Sequence, residues 1–565
     1  MTRVMSALLA ALSILATGFE ARAVLAIPPS SATPQPTPTP QATPTPNPIE
    51  QPPAGITATV ATLAQVLRSY RRSFGTATKR VATMRETDAL SAWGETGSYT
   101  EIQSGSDFVD TMQLGPSSFS NGSYQGQRWR RNSNGYTRLV TGVHEENYVS
   151  AQAVRRSVLG GSTENVRLLG EVASNENAYV VEVHPPAGRH EWLFFDKSTG
   201  RLVREEEARV ARRIVWTFDD YRTTNGILAA WHQHYSDGYP KNEMDWRITS
   251  LQYNVPVSST ELQVPASRKV VQFPAGVDTV RLPARVENGK VIIRVDINGR
   301  GLDFALDSGA SSIVIDRDVA RGLGLQTFGE STQTMAGTFE QSSAIVPVMK
   351  IGDLTMNDVV VDSLPFNFDV GAHTKIVGLL GYDFLAGMVA KIDYVSGTVD
   401  AFEPSSFGAV PGEVFELKMA LDDAVPMVGA RIGGSEGDYF LVDTGSDFVV
   451  VFSAFADAHP DDVSDSDFSA VQDFFFPVVE ASGVGGGLSL IPTRVGAFHF
   501  AGVGFQHFLV FLVRNAPAFE GEDDDGLIGY EFLKYFDVYF DYRNSMLMLQ
   551  PNALLRAQSA PASHR

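Results

Sequence analysis

Cysteine is absent from all 565 residues. That excludes disulfides, thiol nucleophiles, thiolate metal ligands and a lipid-bearing N-terminal cysteine. Long apolar runs are scarce: the stretch from Met5 to Ala16 is too short for a typical membrane span, and no other segment approaches that length. Basic residues are outnumbered, 45 against 65 acidic, for a formal net charge of −20. An excess of that sign argues against nucleic acid or an anionic membrane surface as a partner. There is no Gly-x-Ser-x-Gly, phosphate loop or dinucleotide fingerprint. His499 and His507 flank one strand without a carboxylate or thiol cluster, so they are expected on the surface or in packing. Neither a metal nor a cofactor is expected.

Arg3, the short apolar stretch, and Ala21-Arg22-Ala23 or Val24-Leu25-Ala26 before a proline run form a secretory signal pattern over residues 1–26. The expected location is periplasmic or extracellular, with an uncleaved leader acting as an anchor as the alternative. No membrane span is expected once the leader is removed. Residues 27–53 alternate Pro with Thr, Gln, Ala and Asn, a composition that favours an extended spacer over a core. Residues 553–565 are expected to be a flexible tail. Acid runs such as Asp461-Asp462 and Glu522-Asp523-Asp524-Asp525 suggest solvated loops.

Two short strings carry chemistry: Asp307-Ser308-Gly309 and Asp443-Thr444-Gly445. Each ends one apolar run and is followed by another, Ile313-Val314-Ile315 in the first case and Phe448 to Phe452 in the second. A strand that delivers a carboxylate into a glycine turn and then resumes fixes that carboxylate at one place. Two such carboxylates facing each other can share a proton and activate a water between them.

An internal repeat supports pairing. Gly378-Leu379-Leu380-Gly381-Tyr382-Asp383-Phe384-Leu385 follows the first turn, and Gly526-Leu527-Ile528-Gly529-Tyr530-Glu531-Phe532-Leu533 follows the second. Asp393-Tyr394 and Asp541-Tyr542 then recur at equal distances, each leading into a closing apolar strand. Asn298-Gly299 and Gly433-Gly434 mark hairpin turns ahead of each Asp strand. Residues 280–405 and 412–552 are therefore expected to be two copies of one β-rich unit.

These residues resemble the aspartic peptidases of the pepsin and retropepsin kind. There, each lobe carries Asp-Thr/Ser-Gly and a later hydrophobic-hydrophobic-Gly element behind it, here Leu379-Leu380-Gly381 and Leu527-Ile528-Gly529. The resemblance covers roughly the last half of the chain. It implies a mainly β, bilobed fold of two retropepsin-like β-barrel lobes, and an aspartic endopeptidase that binds an extended polypeptide. It also implies that Ser308 and Thr444 tie the two loops together. Each lobe has its own candidate flap, around Met335-Ala336-Gly337-Thr338 and Ser482-Gly483-Val484-Gly485-Gly486-Gly487; ordinary hairpin turns are the alternative. With both Asp turns in one chain, a monomer can hold the whole site.

Within the pair, Ser446 lies three residues after Asp443, where a hydroxyl could donate to the outer carboxylate oxygen. Ala310 holds the matching place after Asp307 and has no donor, although Ser311 could replace it. Hydrogen bonds to a charged carboxylate lower its pKa, which makes Asp443 the expected base and Asp307 the expected proton carrier.

Residues 54–264 read as a separate α+β domain. Leu63, Val66, Leu67 and Tyr70 recur at helical spacing. Strands are expected at 127–131, 178–184, 191–196, 213–221 and 232–236. The order Trp192-Leu193-Phe194-Phe195-Asp196, Gly200-Arg201-Leu202-Val203, Phe218-Asp219-Asp220-Tyr221 and Asn225-Gly226 resembles bacterial lipoprotein-carrier proteins, in which a curved antiparallel sheet embraces a helix. That resemblance implies an apolar ligand, an acyl chain or peptide; a folded spacer or pro-region is the alternative. The competing functional expectation is a non-catalytic binding protein with a protease-like fold.

Overall fold

The computed structural model describes residues 49–73, 81–141, 153–154, 163–172, 177–186, 188–208, 212–334, 338–366, 368–370, 374–422, 424–463, 479–483, 486–513 and 524–559. Residues 1–48, which hold the expected leader and most of the expected spacer, lie outside them, as do Met335, Gly337, Gly485 and Glu522-Asp523. The chain is mainly β, with several sheets. No helix among the described residues is long and apolar enough to cross a membrane.

The first sheet has thirteen antiparallel strands. It is a meander in two halves, joined where Thr83–Ala92 pairs with Met244–Tyr253. Two-residue turns with both φ angles positive, Trp93-Gly94 (55°, 76°) and Asn225-Gly226 (51°, 78°), link neighbouring strands. This geometry matches the twist of the strands it connects. Helix Leu63–Ser73 buries Val66, Leu67 and Tyr70 against one face, with the Tyr70 ring 5.0 Å from that of Phe195.

Four strands in this sheet, Thr83–Ala92, Glu95–Ser104, Asp107–Leu114 and Ser117–Tyr124, were not expected from the sequence. On the face that the helix partly covers, Glu86, Glu101, Asp110 and Asn121 lie directly opposite one another across them, all buried. Asn121 Nδ2 donates to Asp110 Oδ1 at 3.0 Å, yet burial still pushes Asp110 up to about 7. A buried polar row therefore crosses these strands, while Leu90, Tyr99, Met112 and Leu114 join the helix in an apolar cluster.

Two further sheets repeat one pairing scheme. In the first, Arg300–Leu306 lies parallel to Gly378–Leu380, which is antiparallel to Ile313–Asp316, which is parallel to Leu354–Leu364. In the second, Ser435–Val442, Gly526–Ile528, Val449–Val451 and Val503–Val513 pair in the same order and sense. Asn298-Gly299 and Gly433-Gly434 make the turns before the Asp strands, as the sequence predicts. The closing hairpins, Val389–Asp393 with Thr398–Phe402 and Phe536–Asp541 with Met546–Pro551, meet in a six-stranded sheet. One large buried apolar cluster runs through both repeats.

Two expectations at the surface need correction. Asp524 and Asp525 are each about 1% exposed, not solvated. Asp525 accepts from the Tyr439 amide at 2.9 Å and ties a loop to the second Asp strand. The tail begins as helix Ala553–Ser559: Asn552 Oδ1 accepts from the Leu554 and Leu555 amides, and Leu555 joins the core.

The thirteen-stranded sheet packs on the first repeat. Asn134 donates to the Val360 carbonyl and accepts from the Val360 amide, both at 2.8 Å. Asn132 and Asn134 also donate to the two oxygens of Asp383, at 2.6 and 2.8 Å. Asn242 treats Thr332 in the same two-sided way, donating at 2.8 Å and accepting at 2.7 Å.

Candidate active site

Both Asp turns are strand ends held from behind. The Asp307 amide donates to Leu380 O at 3.1 Å, and the Asp443 amide to Ile528 O at 3.0 Å. Two residues on, Tyr382 N donates to Ala310 O and Tyr530 N to Ser446 O, both at 2.9 Å. Leu379 and Leu527 pair with the strands on either side. Gly381 and Gly529 permit this crossing: a Cβ on either would lie 2.3–2.4 Å from a carbonyl oxygen of the loop in front.

The two turns meet. Thr444 N donates to Ser308 Oγ and Ser308 N to Thr444 Oγ1, both at 3.0 Å. Ser308 Oγ in turn donates to Val442 O at 2.6 Å, and Thr444 Oγ1 to Leu306 O at 2.8 Å. Ser308 and Thr444 are essentially unexposed, so this bonding is shielded from water. Each glycine then faces the opposite acid: a Cβ on Gly309 would sit 2.8 Å from Asp443 Cγ, and one on Gly445 2.6 Å from Asp307 Cγ. The carboxyl groups are thus neighbours across a nearly symmetric joint.

Each acid also accepts from its own turn, Asp307 Oδ1 from Gly309 N at 2.9 Å and Asp443 Oδ1 from Gly445 N at 2.7 Å. Asp307 is pushed well above the usual carboxylate range. Burial is the largest cause, followed by the facing charge of Asp443 and a hydrogen bond with it. The Gly309 amide and the charge of Lys290 act in the opposite direction.

Ser446 does not play the part expected of it. Its hydroxyl donates to Phe448 O at 3.3 Å and accepts from Phe448 N at 3.4 Å, so it shapes its own turn. Ser311 lines a neighbouring pocket instead. The candidate flaps are hairpins at the expected places, Thr327–Thr334 with Thr338–Ile351 and Val479–Gly483 with Gly486–Phe500. Gly483 and Gly486 pair at the end of the second hairpin. Met335, Gly337 and Gly485 fall outside the described residues. Among the described residues no group of acids or histidines is arranged to hold a metal.

Sequence reasoning missed Lys290. It is buried, its Nζ donates to Gly445 O, and the same Nζ lies 2.7 Å from Asp447 Oδ1. One signal was available: Lys290 opens an apolar strand whose counterpart begins with buried Val425. Tyr394 and Tyr542 were noticed as repeat markers without a role. Both hydroxyls are buried with no hydrogen-bond partner among the described residues. Burial raises both, and Asp443 adds to each, joined by Asp307 at Tyr542. Their rings pack edge-on against the other repeat, Tyr394 on Tyr530 and Tyr542 on Tyr382, each at 5.4 Å.

A family model described as aspartyl protease matches residues 293–384, which include the first Asp turn and Leu379-Leu380-Gly381. No curated protein matches the chain. Among solved structures, an aspartic proteinase from Irpex lacteus is similar at 14% identity and a TM-score of 0.31, covering 50% of this chain and 100% of that one. A DUF1329 family protein from Desulfovibrio piger ATCC 29098 is similar at 14% identity and a TM-score of 0.26, covering 36% and 100%. A domain described as an outer membrane lipoprotein-sorting protein, from Vibrio parahaemolyticus, is similar at 10% identity and a TM-score of 0.26, covering 36% and 95%.

Proposed function

We propose that the chain is a secreted aspartic endopeptidase in which Asp307 and Asp443 act as one catalytic dyad within a monomer. The observation that carries this reading is the reciprocal bonding of Ser308 and Thr444, which sets the two carboxyl groups side by side. Neighbouring carboxyls cannot both ionise cheaply, so the pair holds one proton over its working range. Asp307, raised by burial and by its neighbour, carries that proton.

A water between the carboxyls gives a proton to Asp443 as its oxygen attacks the scissile carbonyl carbon. Asp307 gives its proton to the carbonyl oxygen, producing a tetrahedral gem-diol. Collapse returns one hydroxyl proton to Asp307. The proton on Asp443 passes to the departing amine as the C–N bond breaks. Extended substrate lies between the Asp turns and the hairpins that overhang them, its backbone bonding as an added strand. Apolar residues of the cleft walls favour hydrophobic side chains at the cut bond.

The test is cleavage of an unfolded protein by the purified chain from acidic to neutral pH. Asp307→Asn and Asp443→Asn should each lose roughly 10²–10⁴-fold, the contribution of a positioned general acid or base. Equal cleavage by the variants would remove the peptidase reading.

A further inference from the structure

A pocket of about 190 Å³ lies where the thirteen-stranded sheet meets the first repeat. Its first wall is Ser311 and Ser312, which continue directly from the Asp307 turn. The second wall is the hairpin of Thr327–Thr334 and Thr338–Ile351, through Ser331, Gln333 and Gln341. The third belongs to the N-terminal sheet and carries Arg130, Arg131 and Arg138. The pocket therefore begins four residues beyond Asp307, at Ser311, and has a wall from another part of the chain.

These walls are held in fixed relation. Asn134 grips the Val360 backbone from both sides, and Asn242 grips Thr332 on the hairpin strand in the same manner. The Glu330 amide donates to Trp93 O at 2.7 Å, and Lys241 Nζ lies 2.9 Å from Glu330 and 2.6 Å from Glu340. Arg138 bonds Leu421 O at 3.2 Å, reaching toward the second repeat.

Arg130, Arg131 and Arg138 share the lining with three acids. Glu330 pairs with Lys241, while burial raises Asp362, bonded by the Ser312 hydroxyl, and Asp383, bonded by Asn132 and Asn134. At acidic pH the lining is therefore positive. Three buried groups in the lining, Trp93 Nε1, Ser133 Oγ and the Tyr136 hydroxyl, have no hydrogen-bond partner among the described residues. A cavity that sets guanidinium groups beside these N–H and O–H groups suits a carboxylate, which only accepts.

We propose that this pocket is an outer substrate subsite. It takes the acidic side chain of an extended peptide several residues from the bond that is cut, so the N-terminal sheet selects substrates for the dyad. This rests on the peptidase reading above.

The experiment uses the full chain and a peptide series in which Glu or Gln is scanned through positions two to five on either side of one cleavable bond. At one position kcat/KM should favour Glu by roughly tenfold at low salt, the size expected of one charge-assisted hydrogen bond. The preference should shrink several-fold in 0.5 M salt and fall to within about twofold in Arg131→Gln with Arg138→Gln. A preference absent at every position, or one that survives both substitutions and salt, would overturn the subsite. Salt titration of the unaltered chain keeps the test valid if the double variant does not fold. Binding of the best Glu peptide and its Gln twin to Asp307→Asn separates the two readings. Should no peptide be cut by any form, the peptidase reading falls, while a Glu-selective, salt-sensitive affinity still supports the pocket and equal affinity rejects it.

Discussion

Ser308 and Thr444, 136 residues apart, hold each other at both ends: each hydroxyl accepts from the other's amide at 3.0 Å. Each hydroxyl also donates to the carbonyl just before the other's Asp. All four groups are buried, so removing one hydroxyl strands an amide and a carbonyl away from water. Ser308→Ala should cost about 1–3 kcal/mol, as should Thr444→Val. The double variant should cost less than the sum, with a coupling of roughly 0.5–3 kcal/mol. Denaturant unfolding of the four forms measures this, and strict additivity would mean that the hydroxyls act independently.

Gly309 and Gly445 are required for a different reason. Neither has a positive φ, so backbone freedom is not at stake. A methyl group on Gly445 would come within 2.6 Å of the Asp307 carboxyl carbon, closer than atoms pack. Gly445→Ala should retain the β-sheet circular dichroism while losing most peptidase activity. An active Gly445→Ala protein would show that the acids are not confined as described.

Lys290 places a buried positive charge beside the second turn and lowers Asp307. Lys290→Met removes that influence, so Asp307 should keep its proton to higher pH. The alkaline limb of the pH–rate profile should therefore move upward, while kcat falls because the Gly445 carbonyl loses its donor. An unmoved limb would place Lys290 outside the electrostatics of the pair.

Asp383 links the fold to pH. Burial pushes it up to about 7, far above the ordinary aspartate value, against the pull of Asn134 and Asn132. A pKa raised by folding means that stability is fully present below about 4 and lost as pH rises towards 7. The loss should be on the order of a few kcal/mol and should loosen the contact between the N-terminal sheet and the first repeat. In Asp383→Asn that slope should vanish. The variant starts lower, because its amide N–H₂ must face an asparagine donor. Chemical denaturation at pH 4 and pH 8 compares the two forms.

The Asp turns, the Leu-Leu-Gly and Leu-Ile-Gly crossings and the hairpins before them were legible because each is written twice in matching order. Half of the thirteen-stranded sheet was not. Its strands bury Glu86, Glu101, Asp110 and Asn121 where an apolar alternation would normally stand, so the period-two signal is missing. Glycines at 94, 105, 115 and 126, all with positive φ, mark its turns and offered a better guide. Ser446 misled because adjacency in sequence does not say where a hydroxyl points; the Phe448 backbone is nearer. Asp383 and Glu531 hold the same place in the repeat, yet one is buried by Asn132 and Asn134 while the other pairs with Lys534 at the surface. Repetition in sequence cannot reveal that asymmetry, since it comes from a third body packed on one copy.

Mixing decides whether two acids in one chain form the working pair. Asp307→Asn and Asp443→Asn proteins, each prepared alone and then combined at equal concentration, are assayed on an unfolded polypeptide beside the unaltered chain. The geometry predicts strong cleavage by the unaltered chain and almost none by either variant or by the mixture. Undiminished cleavage by a single variant, or activity restored on mixing, would contradict an intramolecular Asp307–Asp443 dyad.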